Sequence, residues 1–181
     1  NLTSGPIEIK DSVIITGNGA SNTIIDAGFN SRIFDITNNA EDVTLDGLTL
    51  KNGKASGSGQ QTGGAIRSLA TGSLTIRNSI ITGNTVEDTA GASAYGGAIF
   101  ISGGFLSIRS SEITNNTASW GGAIYAADGS DVAISGASLI GRNSATQSGG
   151  AVYAGFSGQG DVSIEDSTIT NNSAGYSGGA I

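Results

Sequence analysis

The sequence predicts an all-β fold, a parallel β-helix in which each rung of a solenoid is built from short strands. The motif Gly-Gly-Ala-Ile/Val starts at Gly63, Gly96, Gly121 and Gly149 and begins again at Gly178, with spacings of 33, 25, 28 and 29 residues. A repeat of this length indicates a solenoid, because a unit of that size buries its apolar face only against its neighbours.

Four aliphatic columns result when the copies are aligned on their glycine pairs. They are Ile66, Ile99, Ile124 and Val152; Leu74, Leu106, Val132 and Val162; Ile76, Ile108, Ile134 and Ile164; and Ile81, Ile113, Ile140 and Ile169. The second and third columns are two residues apart, which is the spacing along one face of a strand. Because β-branched residues and glycine dominate without a 3.6-residue stripe, helices are not expected. We expect about seven rungs of three strands.

An asparagine follows the fourth aliphatic column in every full copy. These residues are Asn84, Asn116, Asn143 and Asn172, and we name them the asparagine ladder. Asparagine tolerates left-handed turns, and its side-chain amide bonds readily to the next asparagine in a stack. The ladder is therefore predicted to stabilise one corner of the rod.

The whole chain, 1–181, is predicted to be a single β-helix domain. Residues 63–181 carry the regular repeats, whereas 1–55 form less regular N-terminal rungs in which Val43, Leu45 and Leu50 align with the columns and Gly53 replaces the ladder asparagine. The stretches 55–62 and 87–94 are predicted to be loops that bulge from the rod. The chain is expected to be a segment of a longer protein or of a filament.

Composition excludes several function classes. The 181 residues include 30 glycines and no Cys, Met or His, and the net charge is −7. Thiolate and imidazole chemistry is therefore excluded, and the negative charge argues against binding of nucleic acid. No apolar run is long enough to insert into a membrane. An extracellular protein without cysteine is more typical of bacteria than of animals.

The repeat also resembles a known family. Gly-Gly-Ala-Ile/Val followed by Ile-x-x-Asn is similar to the repeat of polymorphic outer-membrane proteins, which are autotransporter adhesins, although Ile replaces the usual Phe. The segments 5–7 and 43–50 resemble the opening of bacterial right-handed, pectin-lyase-like β-helix proteins. This resemblance implies a right-handed β-helix at the bacterial cell surface or outside the cell, with an adhesive role.

Aromatic residues give the candidate binding face. If the first aliphatic column points inward, the residues that follow it, Arg67, Phe100, Tyr125 and Tyr153, point outward in one column, with Tyr95 and Trp120 close by. Exposed stacked rings suit surface glycans or proteins of a host or neighbouring cell. The alternative is that the rings stabilise one another by stacking, or lie under a loop.

No catalytic or cofactor site is predicted, because the acidic residues are scattered over the rungs. Asp131 and Asp161 occupy the same repeat position on adjacent rungs, where Ca²⁺ with Asp128 assisting would relieve their repulsion. We favour two solvated turn aspartates over that metal site.

The predicted function is a non-catalytic structural and adhesive segment of a bacterial surface or secreted protein. Its partners are flanking rungs or further copies stacked end to end, and surface glycans or proteins. The alternatives are a subunit of an extracellular filament and a glycan-binding or glycan-cleaving module of pectin-lyase type.

Overall fold

The computed structural model describes residues 2–57, 60–87, 93–155 and 160–181, which form a parallel β-helix. The first rung contains β1 (Ile7–Ile9), β2 (Val13–Thr16) and β3 (Ile24–Asp26), and the second contains β4 (Phe34–Ile36), β5 (Asp42–Asp46), β6 (Thr49–Lys51), β7 (Lys54–Ala55) and β8 (Gln61–Thr62). The third rung contains β9 (Ile66–Ser68), β10 (Ser73–Arg77), β11 (Ile80–Thr82), β12 (Thr85–Val86) and β13 (Ala94–Tyr95), and the fourth contains β14 (Ile99–Ser102), β15 (Phe105–Arg109), β16 (Glu112–Thr114) and β17 (Thr117–Trp120). The fifth rung contains β18 (Ile124–Ala127), β19 (Asp131–Ser135), β20 (Leu139–Gly141) and β21 (Ser144–Ser148), and the sixth contains β22 (Val152–Ala154), β23 (Val162–Ile164), β24 (Thr168–Thr170) and β25 (Ser173–Ala174). None of the described residues form a helix, so no helix there has the length and apolarity to span a membrane.

Four sheets run along the rod. Sheet A has the order β1-β4-β9-β14-β18-β22, sheet B β2-β5-β10-β15-β19-β23, and sheet C β3-β6-β11-β16-β20-β24. Sheet D has the order β7-β12-β17-β21-β25, with β8 and β13 at its side. The all-β solenoid predicted from the repeat is therefore confirmed.

The rungs differ from expectation in number and in strand count. Sheets A, B and C hold six strands each, and most rungs add a fourth strand in sheet D. The residues of the fifth glycine copy form no strand, although the Ala180 carbonyl accepts hydrogen bonds from the N–H groups of Ala151 and Val152. Most strands of sheet D have only two residues, and the longer ones, β17 and β21, contain no large aliphatic residue, so alternation does not reveal them.

The aliphatic columns pair in the predicted register and fill the core. Leu74 pairs with Leu106 and Ile76 with Ile108 in sheet B, and Ile81 pairs with Ile113 in sheet C. The alignment of Val43 with Leu74 is also confirmed. Every residue of the first column is buried, including Val152. In the second, third and fourth columns the last buried residues are Val132, Ile134 and Ile140, and the residue of the final rung is only partly buried. Stacking of like side chains at every rung gives one continuous core between sheets A, B and C.

Sheet D forms a separate lobe beside the main core. Ala55, Val86, Ala94 and Ala118 make a small apolar cluster there, apart from the main one. In two rungs the chain leaves along one short strand and returns along another, as in β7 and β8. Of the predicted loops 55–62 and 87–94, residues 58–59 and 88–92 are outside the described part of the chain. Among the described residues, Ala55, Gln61, Thr62 and Ala94 lie in strands of this lobe and not in loops.

A copy of the glycine motif was missed in the second rung. Phe34 pairs with Ile66 in sheet A, so Ser31-Arg32-Ile33-Phe34 occupies the place of Gly-Gly-Ala-Ile. The N–H groups of Ile33 and Phe34 both donate to the Ala65 carbonyl, just as those of Ala65 and Ile66 donate to Ala98. The backbone pattern is therefore kept although the glycines are absent.

Candidate functional site

Each glycine pair forms a corner where two backbones meet closely. Gly121 has a φ of +64°, which favours glycine. A Cβ atom on Gly122 would collide with the carbonyl of Gly150 in the next rung and with the backbone of Ser144. The pair thus brings sheet A against the start of sheet D, which positions the side chains on both.

The asparagine ladder lies beside this corner and is continuous through four rungs. The Oδ1 atom of Asn116 accepts hydrogen bonds from the backbone N–H of Asn84 at 2.9 Å and from its Nδ2 at 3.0 Å. Asn143 and Asn172 repeat the arrangement one and two rungs further along. The ladder begins at Gly53, whose N–H donates to Asn84 Oδ1 at 2.7 Å.

Each ladder amide also ties the ladder to the strand before it. Nδ2 of Asn116 donates to the Ile81 carbonyl at 3.2 Å, and Nδ2 of Asn143 donates to the Ile113 carbonyl at 3.0 Å. Asn84, Asn116 and Asn143 are buried. Because these bonds satisfy polar groups that water does not reach, the ladder is structural.

The aromatic column forms on the outer side of sheet A. The Phe100 and Tyr125 rings stack with centroids 5.7 Å apart and an interplanar angle of 8°, and Tyr125 and Tyr153 stack at 5.2 Å and 9°. Register pairing places Phe100 beside Tyr125 and Tyr125 beside Tyr153. The faces of the Tyr125 ring are therefore occupied by its own neighbours.

Two strands of sheet D, β13 and β17, supply two more rings. Tyr95 lies 4.6 Å from Tyr125 at an angle of 60°, and Trp120 lies 5.2 Å from Tyr153 at 77°. Tyr125 is consequently only 5% exposed, whereas Phe100, Tyr153, Tyr95 and Trp120 are half-buried. The column is thus not the fully exposed one expected from alternation, because the sheet D lobe lies against it.

Burial of Tyr125 also changes its acidity. Desolvation, with the nearby Tyr95, Tyr153 and Asp128, raises the pKa of Tyr125 to about 12. The hydroxyl group therefore stays protonated at any physiological pH, and Tyr125 acts as a packed aromatic residue.

Arg67 belongs to the same column by register but makes a different contact. It pairs with Phe100 and Asp35 across sheet A, and its Nε and Nη2 atoms donate to the two carboxylate oxygens of Asp35 at 2.7 Å each. Arg32 contacts the same carboxylate at 3.5 Å. Sequence reasoning missed Arg32 and Asp35; alignment of Ser31–Phe34 with the glycine motif was the signal that would have found them.

One cleft opens at the Phe100 end of the aromatic column. It has a volume of about 270 Å³, and Tyr95, Phe100, Tyr125, Thr62 and Asp128 are among its lining residues. We name it the aromatic cleft. It combines ring surface with hydroxyl and carboxylate groups, which is the mixture that a small polar ligand with an apolar face requires.

Two of the three acidic residues proposed for calcium, Asp131 and Asp128, have another partner for their carboxylate groups. Oδ1 of Asp131 accepts the backbone N–H of Asp161 at 2.9 Å, and Oδ2 of Asp128 accepts the Ser102 hydroxyl at 2.6 Å. Within residues 2–57, 60–87, 93–155 and 160–181, no group of three or more His, Cys, Asp or Glu side chains is placed to hold a metal ion.

Comparison with known families matches two segments. The model of the Chlamydia polymorphic membrane protein repeat matches residues 110–127 and 166–181. Each segment contains a strand of sheet C, a ladder asparagine and the following glycine pair. No curated protein and no solved structure shows significant similarity to the chain. The chain is therefore a parallel β-helix repeat protein that resembles the polymorphic membrane proteins in its repeats.

Proposed function

We propose that this chain is a rigid, non-catalytic segment of a bacterial cell-surface or secreted protein, and that it holds an adhesive site at a fixed distance from its neighbours. The asparagine ladder carries this proposal, because it links every rung from Gly53 to Asn172 without interruption. The match to the Chlamydia polymorphic membrane protein repeat supports the surface location.

Rigidity follows from the register of the rod. Neighbouring rungs are joined by parallel ladders in sheets A, B and C and are spaced by about 4.8 Å. Bending the rod would break hydrogen bonds of the backbone and of buried asparagines at the same time. A rod of this kind keeps its two ends at a fixed separation, which is the mechanical property that a stalk requires.

Hydrogen exchange tests the structural part of the proposal. The N–H groups of Gly53, Asn84, Asn116 and Asn143 should exchange slowly and as one block, because each donates to the next ladder oxygen. Exchange of these four amides at the rates of an unfolded chain would overturn the proposal of a rigid stalk.

The proposed lack of catalysis rests on the scattering of the acidic residues over the rungs, and Asp42 is an example of an acidic residue with a structural contact. Asp42 accepts hydrogen bonds from the Ser73 hydroxyl at 2.6 Å and from the Ser73 N–H at 3.1 Å. These bonds lower the pKa of Asp42, and its carboxylate links β5 to β10 across sheet B. Release of unsaturated or reducing products from a polyuronate would favour the glycan-cleaving alternative.

The adhesive part of the proposal uses the aromatic cleft. Phe100 and Tyr95 are half-buried and line it, so they offer ring surface without being part of the fully packed core. One face of a neutral sugar ring fits such a surface, with Thr62 and Asp128 available for its hydroxyl groups.

A glycan array with matched variants tests this role. Phe100→Ala and Tyr95→Ala should each lower binding of a glycan that the wild type recognises, whereas Tyr176→Ala, at a residue 79% exposed, should not. A wild type that binds no glycan, or variants that bind as well as it does, would refute a glycan-binding cleft. Negative-stain microscopy separates single rods from the filament alternative, which predicts fibres.

A further inference from the structure

A second cleft lies where sheet D begins. β7 and β8 pair with β12 and β13 on one side, and the first rung places no described strand of sheet D on the other. The cleft below them has a volume of about 250 Å³, and Asn30, Ser31, Arg32, Lys54 and Gln61 are among its lining residues. It is polar and carries positive charge, unlike the aromatic cleft.

The positive charge arises because two guanidinium groups share one carboxylate. Arg67 binds both oxygens of Asp35 at 2.7 Å, whereas Arg32 reaches Asp35 only at 3.5 Å. Within the described part of the chain, Asp35 is the only acidic side chain at ion-pair distance from Arg32. Arg32 thus retains hydrogen-bond donors, since a guanidinium has five.

Arg32 is also well shielded from water. Its side chain is 15% exposed, and burial together with the Arg67 charge lowers its pKa while leaving it cationic. Lys54 at the rim pairs with Glu87 at 2.8 Å, so that pair is neutral. The cluster of Arg32, Asp35 and Arg67, of which Arg32 lines the cleft, therefore carries an excess of one positive charge in a chain of net charge −7, and an oxyanion is the ligand that this charge favours.

The dimensions decide which oxyanion ligand fits. A volume of about 250 Å³ is more than one inorganic ion needs but is below the usual range for larger ligands, about 300–1,000 Å³. Peptide addition at the sheet edge is disfavoured, because β7 and β8 are only two residues long. Asn30 and Ser31 place amide and hydroxyl groups beside the charge, as a sugar ring requires.

We propose that this cleft binds one acidic sugar residue, with its carboxylate or sulfate group paired to Arg32. The site is separate from the aromatic cleft. The residue Gln61 lines one cleft and Thr62 lines the other, as alternate residues of a strand do. Loss of binding at either cleft is therefore distinguishable from loss at the other.

Amide chemical shifts in ¹⁵N spectra test the proposal with small probes. Glucuronic acid and N-acetylglucosamine 6-sulfate separate the two anion sources, and at least one of them should shift the resonances of Asn30, Ser31 and Lys54. Glucose should not. Sodium chloride should weaken the binding, because the interaction is electrostatic. Shifts with neither acidic sugar, or equal shifts with glucose, would overturn the proposal.

Two variants with opposite expected effects guard against loss of folding. Arg32→Gln should weaken binding at least about tenfold, because it removes the charged donor. Asp35→Asn should strengthen binding several-fold, because it removes the competing carboxylate. The control Arg109→Gln, on sheet B, should bind as the wild type does.

Other outcomes would refute the acidic-sugar assignment. They are unchanged affinity in Arg32→Gln, weaker binding in Asp35→Asn, inorganic sulfate binding as tightly as the sugars, and tighter binding of an acidic peptide with shifts along β8.

Discussion

Asn84 and Asn116 share a single oxygen atom: Oδ1 of Asn116 accepts both the backbone N–H and the side-chain Nδ2 of Asn84, at 2.9 and 3.0 Å. One atom thus satisfies two buried donors of the neighbouring rung. Since the same relation recurs at Asn143 and Asn172, the loss of any one amide leaves the adjacent rung with unsatisfied groups.

Asn116→Ala should lower the free energy of unfolding by about 2–4 kcal/mol, because it leaves the backbone N–H and the side-chain Nδ2 of Asn84 without their acceptor and removes the bond to the Ile81 carbonyl. Urea denaturation measures the change. Asn39→Ala is the control, since Asn39 is exposed and makes no side-chain hydrogen bond within the described residues, and it should change stability by less than about 0.5 kcal/mol. Equal effects of the two substitutions would contradict a structural ladder.

Gly122→Ala should destabilise the rod by about 3 kcal/mol or more, because the added methyl group meets the backbone of Gly150 and Ser144, which has no room to move. Gly141→Ala is the matched control: its methyl group would meet the Thr170 carbonyl only at 3.2 Å. We expect that variant to change stability by no more than about 1 kcal/mol. Thermal unfolding of both variants tests the difference, and a tolerant Gly122 would argue against the tight corner.

Tyr125→Ala should cost about 3–5 kcal/mol in stability, because it removes a buried ring that contacts three others. Tyr176→Ala serves as control and should change stability by less than about 0.5 kcal/mol, since Tyr176 is exposed. Chemical denaturation with far-ultraviolet circular dichroism gives both values. If the two variants were equally stable, the stacking of the column would contribute nothing to the fold.

The stability contribution of Tyr125 should disappear at high pH. Its folded-state pKa of about 12 lies above the ordinary value of 10.0, so the unfolded chain loses this proton first. The contribution is complete below pH 10 and declines as the pH rises towards 12. Urea midpoints at pH 9 and pH 11 should therefore fall less for Tyr125→Phe than for the wild type, and identical falls would be inconsistent with this shift.

Asp35→Asn should destabilise the protein by about 1–2 kcal/mol, because it leaves Arg32 and Arg67 close together without their shared carboxylate. High salt should reduce the loss by screening that repulsion. Urea denaturation at low and high sodium chloride tests both points. Glu8→Gln is the control, since the Glu8–Lys10 pair is largely exposed and its removal should have no measurable effect. A loss that is independent of salt would exclude repulsion as its cause.

Sequence reasoning predicted the parts of the fold that repeat with identical chemistry. The pairing of Leu74 with Leu106 could be predicted because one buried face fixes the register of a strand. Sheet D could not be predicted, because Thr85–Val86 and Lys54–Ala55 are two-residue strands without an alternating pattern. The N-terminal copy of the glycine motif was not recognised from the sequence, because Arg32 occupies a position where the other copies have glycine.

The residues of the aromatic column were predicted from the sequence, but the burial of Tyr125 was not. Alternation along β18 correctly separates Tyr125 from Ile124, which lies in the core, but alternation describes only one sheet. The burial of Tyr125 depends on Tyr95, which a strand of another sheet carries. Such a contact between sheets leaves no periodic signal in the sequence.

The sheet D lobe also determines where this architecture accepts new sequence. Eleven residues separate Asn84 from Gly96, whereas four separate Asn116 from Gly121. Even so, the side chains of Asn84 and Asn116 are hydrogen-bonded to each other, and so are the backbones of the two glycine corners that follow. Insertions at this point therefore leave the rod unaltered. Because the rungs that carry described strands of sheet D place this point on the same side of the rod, insertions there would lie in a row about 4.8 Å apart. The length of the sheet D lobe can therefore change from rung to rung while the pairing of sheets A, B and C is kept.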